Sequence, residues 1–189
     1  RRALGVPVVC TLQDEDTWVE DMDPAYVPRV WETMAERARA VDAFVAVSRT
    51  YADKVGPLLK IEADRLRVVP LGIPLDGYPA HPAVFDPPAI GYLSRLGEGM
   101  GLDRLVTSFL DLKRDPGLSG LRLEIMGGQT GDDRAFVRTQ RQRLADAGVL
   151  ADARFHETLD RASRTSLIGS LSVMSVPVEN GEAFGMFIL

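Results

Sequence analysis

A glutamate near the end of the chain, Glu182, lies in a short polar loop between a strand-like and a helix-like segment. The apolar run Ser172–Val176 precedes this loop, and Phe184–Leu189 has the pattern of an opening apolar helix. Strand ends in open parallel sheets face the ligand crevice, and free amides at a helix N-terminus suit an anionic phosphate. A carboxylate at this place could bind sugar hydroxyls, or it could simply complement the helix dipole as an acidic first-turn residue.

An acidic loop follows the first apolar run of the chain. It begins with Gln13 and Asp14 and holds six carboxylates among residues 14–23. The pair Asp14 and Asp16 has a spacing that can hold a divalent cation against a diphosphate. No further ligand motif supports a metal, and an acidic loop with Asp23 as the cap of the next helix explains these residues. We therefore expect no metal site, and a loop that could bind a cationic or polyhydroxyl compound.

Two further side chains could do chemistry. Arg95 follows the apolar run Ala89–Leu93. An arginine is often only a surface or ion-paired residue, but the carboxyl end of a strand favours a ligand role. His156 has no carboxylate partner visible in the sequence, which favours a structural role over acid–base catalysis.

The elements that must position these residues alternate between strands and helices. Helical stripes begin near Val27, Leu102 and Arg134, with Asp23 and Pro24 starting the first. Between and around them lie short apolar runs that are too short for helices, and we expect these to be strands buried on both faces. Parallel neighbours need long crossover connections, so the fold class is α/β with parallel sheets. The predicted strands are Val6–Leu12, Ala43–Val47, Leu66–Val69, Ala89–Leu93, Leu121–Met126 and Ser172–Val176.

Composition narrows the possible partners and location. With 46% hydrophobic residues the chain can bury a substantial core, and its net charge of −5 gives no general attraction to nucleic acid or anionic lipid. Cys10 is the only cysteine, which excludes an internal disulfide and fits a reducing compartment. No apolar run reaches the roughly 20 residues that a membrane-spanning helix needs. We expect a cytoplasmic protein that could associate peripherally with the inner membrane surface.

Both ends of the chain look truncated, and its amino-acid composition changes in the middle. The first residue is not Met, a core strand follows almost at once, and the last helix has no end. We therefore expect an internal fragment. Six prolines and two glycines interrupt regular structure between Pro70 and Pro88, which predicts a domain boundary there.

The end of the chain resembles a motif of the retaining glycosyltransferases of family four, which have the two-lobed GT-B fold. In that motif Pro-Ser-x-x-Glu-x-Phe-Gly precedes an apolar helix. Glu182 matches the first glutamate of the motif, and the second would fall immediately after Leu189. The resemblance implies that Glu182 orients the sugar, and that the amides around Ala183, Phe184, Gly185 and Met186 bind the donor.

The resemblance extends to the predicted donor lobe. The segment Tyr92–Leu102 is similar to the element in which an arginine, a lysine and a glycine clamp the donor diphosphate. Arg95 and Gly101 match, whereas Met100 stands where the lysine is expected. The turn at Gly127 and Gly128 resembles the glycine corner beneath the nucleotide, and Glu157 occupies a position near the base where glycine is usual.

The first part of the chain resembles the acceptor-side lobe of the same family. Val41–Ser48 is similar to its strand ending in serine, and Val68–Pro74 to its interdomain hinge. The family often has a histidine near the transferred sugar where this chain has Gln13, with Asp14 beside it on the acceptor side. The resemblance thus implies two incomplete Rossmann-like lobes: residues 1–80, the acceptor-side lobe with the hinge, and residues 81–189, the donor-binding lobe.

The function that this resemblance implies is transfer of a hexosyl-type sugar from a nucleotide diphosphate donor to an acceptor hydroxyl with retention of configuration. The partners would be the nucleotide-diphosphate sugar and a sugar, lipid or small-molecule acceptor, without nucleic acid, metal or another cofactor. We expect the chain as given to be inactive by itself. The replacements Gln13, Met100 and Glu157 also allow a homologue that binds a nucleotide or sugar without catalysis. A dinucleotide-dependent oxidoreductase is disfavoured because no Gly-x-Gly-x-x-Gly follows a strand.

Overall fold

The computed structural model describes residues 5–78, 86–156, 159–179, 181 and 183–185. Among these residues the chain forms two compact units. The first comprises Arg1–Ile73 with Glu182–Leu189, and the second comprises Pro74–Gly181. This division separates the chain by compactness and does not test the predicted boundary after residue 80 or the roles assigned to the two lobes.

The first unit contains a three-stranded parallel sheet. Its strands are β1 (Val9–Leu12), β2 (Ala43–Ala46) and β3 (Leu66–Val68), in the order β1-β2-β3. The connections carry α1 (Glu15–Glu20), α2 (Val27–Ala38), α3 (Arg49–Leu58) and a 3-10 turn at Ala63–Arg65. A core of buried side chains fixes these helices on the sheet, and includes Leu12, Phe44, Val47, Tyr51, Val55 and Leu59.

The second unit contains a four-stranded parallel sheet. Its strands are β4 (Ala89–Leu93), β5 (Arg122–Met126), β6 (Ala153–His156) and β7 (Val173–Met174), in the order β6-β5-β4-β7. The helices are α4 (Leu102–Leu112), α5 (Asp133–Asp146) and α6 (Arg161–Gly169), with 3-10 turns at Pro116–Leu118 and Leu150–Asp152. The core packs α4 and α5 on the sheet through residues such as Tyr92, Leu102, Val106, Phe109, Leu123 and Leu144.

The predicted α/β class with parallel sheets is confirmed, and each predicted strand is present, Ala89–Leu93 with the predicted bounds and the others with shifted ends. The expectation of strands buried on both faces holds for β4, whose first four residues are buried. It is wrong for β1, where Val9 is 62% exposed, because this strand has only β2 as a neighbour in the described sheet. Asp23 does not cap α2, because the helix begins at Val27 and the Asp23 carboxylate instead accepts from the Ala25 amide in the preceding turn.

Among the described residues, no helix combines the length and the apolar character that crossing a bilayer requires.

Candidate functional site

The loops after β4, β5 and β7 meet at the carboxyl edge of the sheet in the second unit, because parallel strands all end at the same edge. The loops after β4 and β5 are joined by a hydrogen bond from the Leu96 amide to the Gly128 carbonyl, 2.8 Å long. The loops after β4 and β7 are joined by a bond from the Glu179 amide to the Gly99 carbonyl, 3.1 Å long. These bonds bring Arg95, Met100, Gly101, Gly127 and Gly128 to one edge of the sheet.

Arg95 is held in place by a carboxylate from the start of α5. Its Nε and Nη2 atoms donate to Asp133 at 3.2 and 3.0 Å, which forms a two-bond ion pair. Asp133 also accepts from the amide and the hydroxyl of Thr130, at 2.7 and 2.9 Å. The Arg95 guanidinium, followed by the Thr130 amide, lowers the pKa of the Asp133 carboxyl to about 2. The Asp133 side chain is 6% exposed and that of Arg95 56%, so the fixed guanidinium keeps further N–H donors at the surface.

Met100 contributes packing where a cation is expected. Its side chain is partly buried and packs against the core of the second unit. The buried Tyr92 hydroxyl lies 2.9 Å from the Arg95 carbonyl and 3.0 Å from the Met100 carbonyl, and so fixes both ends of this loop. The loop is therefore well positioned, with Arg95 as the cation between β4 and Gly101.

Two glycines of the site allow backbone approaches that no side chain would permit. A Cβ on Gly127 would lie 1.7 Å from the Ser94 carbonyl oxygen, and one on Gly101 would lie 2.1 Å from the Pro177 carbonyl oxygen. Gly101 also has a φ of +83° and precedes α4 without a side-chain cap. The first amides of α4 thus have no capping side chain, and such amides can bind an anion. A Cβ on Gly128 would make only an ordinary van der Waals contact with Leu159, at 4.0 Å.

His156 does have a carboxylate partner. Its Nε2 atom lies 2.7 Å from Glu124 Oε2 on the neighbouring strand β5. The register pairs Met126 with His156, so that Glu124 and His156 are diagonal neighbours on one face of the sheet. The sequence pattern missed this pair because it depends on the register of two strands. The short bond ties β5 to β6 and agrees with a structural role.

In the first unit, the acidic loop contains the short helix α1. Gln13 and Asp14 are exposed after β1, and Asp14 accepts from the Thr17 hydroxyl at 3.0 Å. Asp16 instead is buried and bonds to Lys54 of α3. Within the described part of the chain, no group of three or more His, Cys, Asp or Glu residues could hold a metal ion. The expectation of a metal-independent protein stays a prediction.

The end of the chain meets the first unit through its described residues. Ala183 is 8% exposed and belongs to the core of that unit, and Phe184 packs partly against the same core. The Ser48 hydroxyl donates to the Ala183 carbonyl at 2.5 Å. Gly185 has a φ of +76°. The predicted site residues Glu157, Glu182 and Met186 lie outside the described residues.

A comparison with protein-family models matches residues 1–76 to the model described as Glycosyltransferase Family 4. The resemblance seen in the sequence is thereby confirmed for this part of the chain. A search of curated protein sequences gives no match.

Solved structures share the fold of nearly the whole chain. Anabaena HepE, solved in complex with UDP and glucose, is 17% identical with a TM-score of 0.74, and the alignment covers 96% of this chain and 49% of HepE. Sucrose-phosphate synthase from Thermosynechococcus elongatus is 16% identical with a TM-score of 0.71, covering 95% and 46% of the two chains. S. aureus TarM is 8% identical with a TM-score of 0.65, covering 92% and 32%. The chain therefore has the fold of about half of a GT-B glycosyltransferase, and spans about half the length of HepE and the synthase.

Sequence reasoning missed three residues that hold candidate residues in place. Asp133 orients Arg95, Ser48 holds Ala183, and Glu124 pairs with His156. Each partner lies at least 32 residues away along the chain. The one available signal was Asp133 itself, an acidic residue in the first turn of a predicted helix whose start lies at the carboxyl edge of the sheet.

Proposed function

We propose that this chain is part of an enzyme that transfers a sugar from a nucleotide diphosphate donor to an acceptor hydroxyl with retention of configuration. The family match of residues 1–76 and the GT-B fold support this reaction class. The observation that carries the proposal is Arg95, held by Asp133 at the carboxyl edge of the second sheet beside the close-packed glycines Gly101 and Gly127. This arrangement suits a diphosphate, which needs fixed positive charge and close backbone amides.

The donor would be bound by the second unit. As the bond to the sugar breaks, negative charge grows on the diphosphate, and a preoriented cation lowers the energy of that state more than that of the bound substrate. Arg95 is preoriented because two of its N–H groups bind Asp133 and further ones stay available. The uncapped amides at the start of α4 would add hydrogen bonds to the same group. Gly128, which has no side chain of its own, would let the nucleotide approach the backbone.

The sugar and its acceptor would meet beside residues of the first unit and of the terminal motif. Glu182 would orient the sugar hydroxyls, and the amides of Phe184 and Gly185 would add hydrogen bonds to the donor. Gln13 and Asp14, exposed after β1, would contact the acceptor. An amide such as that of Gln13 can donate and accept hydrogen bonds without taking up a proton, so its role would be binding. This mechanism needs no protein nucleophile and no metal.

The proposal is tested by assaying the full-length protein with UDP-, GDP- and ADP-linked hexoses for donor hydrolysis and for transfer. UDP-glucose is the first donor to try, because HepE was solved with UDP-glucose. We expect turnover with at least one donor, and loss of about 100-fold or more in kcat for Glu182→Ala, a magnitude usual for a group that acts in the transition state. Wild-type turnover that is unchanged by Glu182→Ala would contradict the assignment.

A second candidate function, nucleotide or sugar binding without catalysis, is favoured by one observation. The Met100 side chain packs on the core at the position where the resembling family has a lysine, so Arg95 lacks a second cation there. Calorimetric titration with UDP, GDP and ADP beside the turnover assay separates the two functions. Binding without any turnover supports the second function, and binding with turnover supports the first.

A further inference from the structure

The hydroxyl of Ser48 makes two hydrogen bonds that serve different parts of the first unit. Ser48 is the N-cap of α3, and its Oγ accepts from the Tyr51 amide at 3.0 Å. The same Oγ donates its proton to the Ala183 carbonyl at 2.5 Å, across 135 positions of the chain. A serine hydroxyl has one proton and two lone pairs, so both bonds form at once and the proton is committed to Ala183.

The Ala183 carbonyl depends on this bond because of its surroundings. Ala183 is 8% exposed and lies in the core with Leu12, Tyr51 and Val55. A buried carbonyl that loses its donor is left unsatisfied, which disfavours the conformation that buries it. Ser48 is itself fixed by two constraints, the end of β2 at Ala46 and the start of α3 at Arg49. The bond therefore anchors the terminal segment at a rigid point of the first unit.

We propose that Ser48 is a positioning residue for the terminal segment Ala183–Gly185. The Ala183 carbonyl and the Phe184 amide belong to one planar peptide group, so the anchor of the carbonyl also fixes the direction in which the Phe184 N–H points. This inference rests on the proposed function in assigning the Phe184 amide to the donor. Ser48 touches no reacting group, and its effect on turnover passes through Ala183.

Three substitutions separate capping from positioning. Ser48→Thr keeps a hydroxyl that can accept and donate. Ser48→Asp keeps an excellent N-cap, but its carboxylate has no proton to donate and repels the Ala183 carbonyl. Ser48→Ala removes both bonds. Asp115→Ala is the matched control, because Asp115 caps the 3-10 turn at Pro116–Leu118 by accepting from the Gly117 amide at 2.8 Å, before the amino end of β5.

Hydrogen exchange of the full-length protein tests the contact without any assay of activity. We expect faster exchange in the peptide that contains Ala183–Gly185 for Ser48→Asp and Ser48→Ala, and unchanged exchange there for Ser48→Thr and Asp115→Ala. Exchange at the start of α3 should rise only for Ser48→Ala. Unchanged exchange around Ala183 in Ser48→Asp would overturn the inference, whether or not the protein proves to be a glycosyltransferase.

Kinetics with UDP-glucose, or whichever donor turns over, test the consequence. We expect kcat to fall about 10- to 100-fold in Ser48→Asp and Ser48→Ala, and to stay within about 3-fold of wild type in Ser48→Thr, because small misplacements near the reacting atoms are costly. The Kd for UDP should rise in the same two variants and stay within about 2-fold of wild type in Ser48→Thr, because the Phe184 and Gly185 amides are proposed donor contacts. Faster hydrogen exchange around Ala183 together with an unchanged kcat would also overturn the inference. If the wild type neither binds nor turns over any donor, the proposed function fails, and the exchange data still decide the role of Ser48.

Discussion

The Arg95 guanidinium lies side by side with the Asp133 carboxylate, and two hydrogen bonds of 3.2 and 3.0 Å join them. Two parallel N–H donors match the geometry of a carboxylate, and such a pair fixes direction as well as charge. Gly97 makes room for the pair, because a Cβ there would lie 2.9 Å from Asp133 Oδ1. The cation proposed for the donor phosphates is thus already oriented in the protein without a ligand.

Arg95→Ala should weaken UDP binding by about 10- to 100-fold, because a hydrogen bond to a charged group contributes roughly 1.5–3 kcal/mol. Isothermal titration calorimetry with the full-length protein measures this change. The matched control is Arg114→Ala, since Arg114 also pairs with an aspartate, Asp111, but is 81% exposed at the opposite end of α4. Equal losses of affinity for the two variants would contradict a phosphate role of Arg95.

Asp133 should make the stability of the second unit depend on pH in the acid range. Its pKa in the folded protein, about 2, lies below the ordinary value of 3.8. A carboxyl with a lowered pKa stabilises the folded state above its ordinary pKa, and this contribution is lost as the pH falls through the folded pKa. We expect Asp133→Asn to be less stable than wild type above about pH 5, with the difference shrinking between about pH 4 and pH 2.

Urea unfolding at a series of pH values measures that difference. Asp111→Asn is the control, because Asp111 is 61% exposed in its pair with Arg114, and exposed pairs contribute little to stability. A difference between wild type and Asp133→Asn that stays constant down to pH 2 would show that the lost stability does not come from the charge.

Alanine should destabilise the fold at Gly127 but not at Gly128. Alanine at Gly127 would place its Cβ 1.7 Å from the Ser94 carbonyl, and neither backbone can move without breaking the pairing of β4 and β5. We expect Gly127→Ala to lose about 3 kcal/mol or more, as overpacking at rigid sites does. Gly128→Ala meets only Leu159 at 4.0 Å and should fold normally.

Because Gly128→Ala should fold normally, this variant tests nucleotide binding separately from stability. If the nucleotide lies on the glycine corner, Gly128→Ala should weaken UDP binding about 3- to 10-fold, since even one misplaced methyl group opposes a close backbone approach. Thermal unfolding and calorimetry on the same samples separate the two effects. Unchanged UDP affinity in a well-folded Gly128→Ala variant would place the nucleotide elsewhere.

Most of the strands and helices that position these residues could be predicted from the sequence. Strands were recognisable because short, branched apolar runs end at turn residues, and α4 because Leu102, Leu105, Val106 and Phe109 form one buried stripe. Helix α3 was missed because Gly56 and Pro57 lie within its last turns, where Pro57 forms part of the helix. Helix α6 was missed because only Thr165 and Leu167 of its nine residues are buried.

Residues of the candidate site could be predicted from the sequence only where a characteristic residue type directly follows a strand. Arg95, Gly101 and the glycine corner could be placed from their positions after β4 and β5. Their partners could not, because Asp133 reaches Arg95 through the packing of α5 and Ser48 reaches Ala183 across the whole chain. Contacts of this kind depend on three-dimensional packing that no local pattern encodes.

Lys54 and Asp16 should stabilise the acidic loop as a pair rather than singly. Asp16 is 6% exposed, and burial by itself would raise its pKa, but the hydrogen bond from Lys54 and the nearby Tyr51 hydroxyl lower that pKa overall. Removing only Lys54 leaves a buried charge without its partner. We expect Lys54→Met to cost about 1–2 kcal/mol, less than for a fully buried pair because Lys54 is 45% exposed.

A double-mutant cycle checks this pairing. Asp16→Asn combined with Lys54→Met should be more stable than the sum of the two single changes, because the second substitution removes the unpaired charge left by the first. Glu20, 3.6 Å from Lys54, is the control position, since Glu20→Gln removes an exposed partner and should have little effect. Strict additivity between Asp16 and Lys54 would contradict the pairing.

Met100→Lys should strengthen donor binding by restoring a second cation beside Arg95. The Met100 side chain is partly buried against the core, and a lysine can keep its methylene stem there while its ammonium reaches water. One added phosphate contact is expected to raise UDP affinity about 5- to 10-fold at low salt, and less at high salt, because salt screens exposed charges. Met100→Leu is the control, because it keeps the packing and adds no charge. A lysine variant that folds like Met100→Leu but binds UDP no more tightly at any salt concentration would show that the diphosphate does not lie next to position 100, and would leave Arg95 without its proposed neighbour.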